Sequence, residues 1–99
     1  VHIKDVYWNN QPNISGVFGG HLPFGDLKRN WNFCSIGHGN INFGKVIRTL
    51  NDIDYKGPFS IEWEDNGMER EFGAEESYKN LKRLCFNKQK KAFDDSFKN

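Results

Sequence analysis

Two short segments, residues 1–5 and 59–65, alternate apolar and polar side chains in the manner of β-strands that have two different faces. The polar positions include His2 and Lys4 in the first segment and Glu62 in the second. A buried parallel strand is normally a nearly continuous apolar run, because both of its faces are covered. These polar side chains therefore need either specific partners or a function.

In a parallel barrel, alternate strand residues face outward under the helices or inward along the barrel axis, and chemistry collects where the strands end. With this arrangement we expect His2 and Glu62 to face the axis together. The residues expected to face helices are Val1, Ile3, Phe59, Ile61 and Trp63. Two simpler interpretations stay open: a His2 satisfied by hydrogen bonds, and a Glu62 that is solvated on its strand.

Several segments, in order along the chain, carry a resemblance to a known family. They are His-Ile-Lys-Asp at residues 2–5, the loop at 19–26, Gly-His-Gly-Asn-Ile-Asn-Phe at 37–43, residues 50–57, Ile-Glu-Trp-Glu-Asp at 61–65 and the tail at 92–97. In order and spacing they resemble the xylose-isomerase-like sugar phosphate isomerase/epimerase superfamily. No single segment is specific, and it is their combination that makes the resemblance.

This resemblance implies a (β/α)₈ barrel in which four side chains, typically glutamate, aspartate, histidine and glutamate, bind one divalent metal ion. His2 matches the histidine ligand, and Glu62 matches the last glutamate, which in the family is also the catalytic base. The other two ligands have no counterpart in the chain. Nitrogen and oxygen ligands of this kind suit Mn, Co, Mg or Zn. Relatives often carry arginine at the position of Cys34, so a substrate contact from that position is not expected.

The implied reaction is isomerisation or epimerisation of a sugar or sugar phosphate through an enediolate. The metal acts as a Lewis acid, and Glu62 removes and returns the proton beside the carbonyl. Lys4 is expected either to bind a substrate oxygen or phosphate, or to form a salt bridge to Glu64 across the strand pair. Trp8 and His38 are candidate sugar contacts. Asp5 is expected to orient the histidine or to cap the following loop.

A complete barrel takes about 250 residues, whereas this chain has 99. We therefore interpret residues 1–99 as a single partial domain of the α/β class, the last two βα units of a (β/α)₈ TIM barrel. The chain opens inside an apparent strand without an initiating Met, which suggests a piece of a larger protein. The expected partner is the missing amino-terminal barrel portion or another copy, and the chain alone is expected to be inactive.

The pattern along the chain predicts a first strand over residues 1–6 and then a long aromatic-rich loop over residues 7–40, interpreted as an active-site flap or simply a cover. A helix is expected from an Asn42 cap to about Asp54, a strand over residues 59–64, and a helix over about residues 74–84. The predicted apolar stripe of that last helix consists of Ala74, Tyr78, Leu81 and Leu84. Residues 86–99 are expected to form an extended arm that packs Phe93 and Phe97.

The net charge of +1 gives no general attraction to nucleic acid, and no apolar run approaches the about 20 residues that cross a membrane. We expect a soluble, cytoplasmic protein of carbohydrate metabolism, with Cys34 and Cys85 as free thiols. Two other functions stay open. One is an apurinic endonuclease of the same superfamily, although the Asp-Arg-His run of that enzyme type is missing from this loop. The other is a non-catalytic module that oligomerises or binds a partner.

Overall fold

The computed structural model describes residues 1–9 and 21–89 of the chain. Two helices and four strands are present in these ranges: β1 (His2–Ile3), β2 (Asp5–Trp8), β3 (Trp31–Cys34), α1 (Phe43–Asp52), β4 (Ser60–Ile61) and α2 (Arg70–Leu84). β1 pairs with β4 in a parallel sheet, and β2 pairs with β3 in an antiparallel hairpin. This mixed α/β arrangement is consistent with part of a TIM barrel.

The parallel sheet is shorter than the two predicted strands. Its register pairs His2 with Ser60 and Ile3 with Ile61. The backbone N–H of Glu62 donates to the carbonyl oxygen of Ile3 at 2.9 Å. The first strand leaves this sheet after Ile3, because Asp5 already pairs with Cys34 in the hairpin.

The hydrophobic core lies between the parallel sheet and the two helices. Its buried residues are Ile3, Ile36, Phe43, Ile47 and Leu81, with Val46, Ile61 and Leu84 packed against them. The expectation that Ile3 and Ile61 face helices is therefore confirmed. For Val1 and Phe59 it is wrong, because both are exposed at the amino ends of their strands, where the helices do not cover them.

Helix α1 begins where the sequence predicts. The side chain of Asn42 accepts a hydrogen bond from the backbone N–H of Lys45 at 3.0 Å and so caps the first turn. The helix ends at Asp52, and Asp54 then takes a left-handed backbone conformation with φ of 57°. This turn brings the chain back toward the start of β4.

Helix α2 begins at Arg70, one turn before the predicted start, and buries a different face. Its buried residues are Gly73, Ser77 and Leu81, whereas Ala74 and Tyr78 are exposed. The predicted apolar stripe is therefore wrong at Ala74 and Tyr78. The reason is that the helix approaches the sheet through small residues, which leave room for Trp63 and Ser35: a Cβ atom on Gly73 would meet both.

The segment interpreted as a loop, residues 7–40, contains the end of strand β2 and all of strand β3, so that prediction is wrong at residues 7–8 and 31–34. The rings of Phe24, Trp31 and Phe33 pack on one another with centroids 5.2–5.7 Å apart, as expected of a packed loop. Of the predicted arm, residues 86–89 are described and have no regular secondary structure. Phe93 and Phe97 lie outside the described residues.

Candidate functional site

One face of the parallel sheet, extended onto the residues that directly follow β1 and β4, carries a row of polar side chains, which we call the polar face. It consists of His2, Lys4, Ser60, Glu62 and Glu64. Side chains two residues apart on a strand lie on the same face. Because the opposite face packs against the helices through Ile3 and Ile61, these polar residues project away from the core.

His2 and Glu62 lie side by side on the polar face. The Nδ1 atom of His2 is 3.2 Å from the Oε1 atom of Glu62, and the side chains are 74% and 48% exposed. The pairing of the two strands causes this approach, since the backbone N–H of Glu62 binds the carbonyl of Ile3. The structure thus brings together the two residues that the sequence analysis selects as metal ligands.

Lys4 and Glu64 form a second pair, further along the strands. Their charged atoms, Nζ and Oε1, are 3.1 Å apart, and both side chains are half-buried. The ammonium group also lies 3.8 Å from the ring centroid of Phe33, over the face of the ring. Lys4 is therefore held by a carboxylate and an aromatic ring at once, which restricts its position.

The separation of His2 and Glu62 can be compared with that of two ligands of a common ion. Two atoms, each about 2.1 Å from one ion, lie about 3.0 Å apart at a right angle and about 3.4 Å apart at the tetrahedral angle. The observed 3.2 Å falls between these values. The separation is therefore compatible with two ligands of one divalent ion, and it is equally that of a direct imidazole–carboxylate contact. No group of three potential metal ligands occurs in residues 1–9 and 21–89.

Asp5, which follows the polar residues of β1, is fully buried and serves the loop rather than His2. Its carboxylate accepts hydrogen bonds from the backbone N–H groups of Val6, Gly37 and Gly39 at 2.8–3.0 Å, and from Ile41 at 3.4 Å. Of the two expectations for Asp5, the structure shows loop capping. The turn that contains residues 37–41 is thereby fixed next to the strand of the polar face.

His38 and Trp8, the candidate sugar contacts, lie on other parts of the molecule. The imidazole Nε2 of His38 pairs with Oε1 of Glu76, on helix α2. Trp8 lies opposite Trp31 in the hairpin, and its backbone N–H donates to the side chain of Asn40. The structure therefore places neither residue in the row of the polar face.

A buried polar cluster behind the strand ends gave no signal in the sequence. The hydroxyl of Ser35 donates to Asp65 at 2.8 Å and accepts from the indole N–H of Trp63 at 2.9 Å. The backbone N–H of Ser35 also donates to Asp65. The partners are 28 to 30 positions apart, and no local pattern marks such distant contacts.

Cys34, next to this cluster, is a free thiol. Burial, and then the negative charges of Asp5 and Asp65, raise its pKa to about 12. The thiol therefore stays neutral near pH 7, whereas nucleophilic and metal-binding cysteines react as thiolates.

Comparison with known proteins agrees with this architecture. A family model described as a xylose isomerase-like TIM barrel matches residues 1–84 of the chain. No curated protein matches the chain. In the described ranges, no helix is both long enough and apolar enough to cross a membrane.

Proposed function

Since the chain belongs to the xylose isomerase-like TIM barrel family, we propose that it forms part of a metal-dependent isomerase or epimerase that acts on a sugar or sugar phosphate. The family includes isomerases, epimerases and endonucleases. The observation that carries the proposal is the approach to 3.2 Å of an imidazole on β1 and a carboxylate directly after β4, the parallel partner strand. Within the barrel, we assign the chain to the last two βα units.

In this proposal, His2 and Glu62 hold a divalent cation, which is Mn, Co, Mg or Zn, together with two carboxylates from other strands. When bound there, such a cation would supply Lewis-acid chemistry, which stabilises negative charge on a carbonyl oxygen. Glu62 would remove the proton from the carbon beside that carbonyl, which leaves an enediolate. Return of the proton to the neighbouring carbon would give the isomer, and delivery of a proton to the opposite face by a carboxylate from another strand would give the epimer. A carboxylate has two oxygens, so one can stay toward His2 while the other accepts the proton.

Lys4 orients the substrate in this proposal. An ammonium group has three N–H donors, so Lys4 can keep its bond to Glu64 and still donate to a sugar oxygen. Trp8 and His38 are proposed as sugar contacts from the loop side. His38 takes this role by exchanging the carboxylate of Glu76 for a sugar hydroxyl.

The first test is exchange of the substrate proton with solvent, measured in the intact protein by NMR in deuterated buffer with a divalent metal and a series of ketoses. We expect Glu62→Gln to lower the exchange rate by about 10²–10⁴-fold, the usual contribution of a general base. His2→Ala should weaken metal binding, measured by titration calorimetry. Glu75→Gln, at an exposed position of α2, is the matched control. Unchanged exchange and metal content in both site variants contradict the proposal.

The same preparation distinguishes the endonuclease alternative. Metal-dependent incision of DNA that contains an abasic site, together with the absence of ketose proton exchange, would assign the chain to that branch of the family. Loss of incision in Glu62→Gln would then place the activity at the same site. Absence of both reactions favours the non-catalytic interpretation.

We also propose that the parallel sheet pairs with strands outside the described residues. Within the described ranges this sheet has two strands, β1 and β4, and such a small sheet is marginally stable by itself. Its partner is then the remaining portion of the barrel or a second copy of the chain. Sedimentation of the 99-residue chain tests this, and a compact, well-ordered monomer contradicts it.

A further inference from the structure

A pocket of about 270 Å³ lies between the hairpin β2–β3 and the loop that follows β4. Tyr7, Asn32 and Cys34 line it from the hairpin, and Asp65 and Gly67 line it from the loop. We call it the distal pocket. Its volume is below the about 300–1,000 Å³ of sites that enclose a whole small ligand, so it suits one part of a ligand.

The distal pocket adjoins the polar face at two points. Phe33 is part of its wall, and the ammonium group of Lys4 lies 3.8 Å from the centroid of the same ring. Asp65, another wall residue, directly follows Glu64, the partner of Lys4. The pocket also lies beyond the carboxyl end of β4, and ligands of parallel barrels bind at that end of the strands. A ligand on the polar face can therefore extend into it.

The charge of the distal pocket disfavours an anion. Asp65 contributes a carboxylate, and no Lys or Arg lines the pocket among the described residues. The thiol of Cys34 is neutral, since its pKa is raised to about 12 by burial and by Asp5 and Asp65.

The amino terminus of helix α2 does not supply the positive charge that the distal pocket lacks. Phosphate groups in proteins are usually bound by Arg or Lys side chains, or by the free N–H groups at the start of a helix. Here Glu69 precedes the first turn, which begins with Arg70 and Glu71. These three side chains together carry one net negative charge, so this helix start offers a phosphate no net positive charge from its side chains.

We propose that the distal pocket receives the end of the sugar chain remote from the reacting carbon, and that it prefers a neutral hydroxymethyl or methyl end to a phosphorylated one. The inference rests on the proposed function and narrows its substrate class. Asn66 and Tyr7 bring polar groups to an otherwise largely apolar wall, which is the composition expected for a neutral, hydroxylated group.

The test introduces a cation at the pocket. Tyr7→Arg adds a guanidinium to the wall, and Tyr78→Arg, on the exposed side of α2, is the matched control, since the two tyrosines are 52% and 55% exposed. The probes are fructose, tagatose and xylulose, each compared with its terminal phosphate ester. We expect the wild type to have the higher kcat/KM for the neutral sugars. Tyr7→Arg should raise the ratio of kcat/KM for the phosphate ester to kcat/KM for the neutral sugar by about tenfold, through one charge-assisted hydrogen bond.

In the kinetic test, the inference is overturned by a wild type that prefers the phosphate esters, or by an equal shift in the two arginine variants. If Tyr7→Arg fails to fold, Leu27→Arg replaces it, because Leu27 also lines the pocket and is 94% exposed. A binding measurement separates this inference from the proposed function. NMR shifts of the Asn66 and Gly67 amides that saturate with a neutral ketose, and not with its phosphate, support the pocket even without catalysis. Unperturbed amides with every neutral ketose contradict it.

Discussion

Replacement of the buried carboxylate of Asp5 by an amide tests how the turn beside the polar face is held. Asp5→Asn keeps the shape of the side chain but turns one acceptor oxygen into an N–H₂ donor. Oδ1 of Asp5 accepts from Val6 and Ile41, and Oδ2 accepts from Gly37 and Gly39. Whichever oxygen is replaced, two backbone N–H groups lose their acceptor.

The size of the effect follows from these distances. The less costly orientation puts the amide nitrogen at Oδ1, because the bond from Ile41 is already long at 3.4 Å. One full bond to a charged acceptor is then lost, a cost of about 1.5–3 kcal/mol, and the two bonds at the other oxygen each weaken by about 1 kcal/mol. Removal of the buried charge offsets part of this loss. We expect the free energy of unfolding to fall by about 3 kcal/mol.

The assay is urea unfolding of the intact protein, combined with hydrogen exchange of the backbone amides of Gly37 and Gly39. Both amides should lose protection in Asp5→Asn before the rest of the fold does. Asp52→Asn makes the same chemical change at an exposed position of α1. This control should stay within about 0.5 kcal/mol of wild type. If the unfolding free energy of Asp5→Asn also stays within about 0.5 kcal/mol of wild type, and Gly37 and Gly39 stay protected, then Asp5 does not hold the turn.

Three further predictions concern residues around this turn and helix α1. At pH 8, iodoacetamide should modify exposed Cys85 and spare Cys34, whose pKa is raised to about 12; modification of Cys34 should grow only as the pH rises toward that value. Mass spectrometry counts the adducts, and equal labelling of both thiols at pH 8 contradicts the prediction. Gly39→Ala should destabilise the fold in urea, because its Cβ atom would collide with the backbone oxygen of Val6 and with the buried carboxylate. Asn42→Ala should cost about 1 kcal/mol of unfolding free energy through loss of the helix cap, and an unchanged urea midpoint would show that the cap is not needed.

The features that the sequence predicts correctly depend on patterns among residues that are close together in the chain. Alternation of side chains on β1 and β4 places Ile3 and Ile61 against the helices. The asparagine before an apolar stripe predicts the start of α1, because capping needs only residues three positions apart. The pairing of His2 with Glu62 depends on a distant contact, and the sequence suggested it only through the assumption of a parallel barrel.

The features that sequence reasoning missed are held by small or polar residues and by distant partners. Helix α2 turns Gly73 and Ser77 toward the core, and a search for apolar side chains does not detect such a face. The hydroxyl of Ser77 binds the backbone N–H of Ile36, 41 positions away. Strand β3 has only four residues, too few for its alternation to stand out within a loop of mixed composition.

The two ion pairs of the polar face differ in how firmly the fold holds them, and this difference supports their separate roles in the proposal. His2 and Glu62 are largely exposed, so their rearrangement around a cation requires little further desolvation. Lys4 and Glu64 are half-buried, and Lys4 also lies against the ring of Phe33. In the proposal, His2 and Glu62 exchange their mutual contact for the ion, whereas Lys4 orients the sugar without leaving Glu64 or the ring of Phe33. The exposed pair therefore suits the metal, and the covered pair suits the orientation of the sugar.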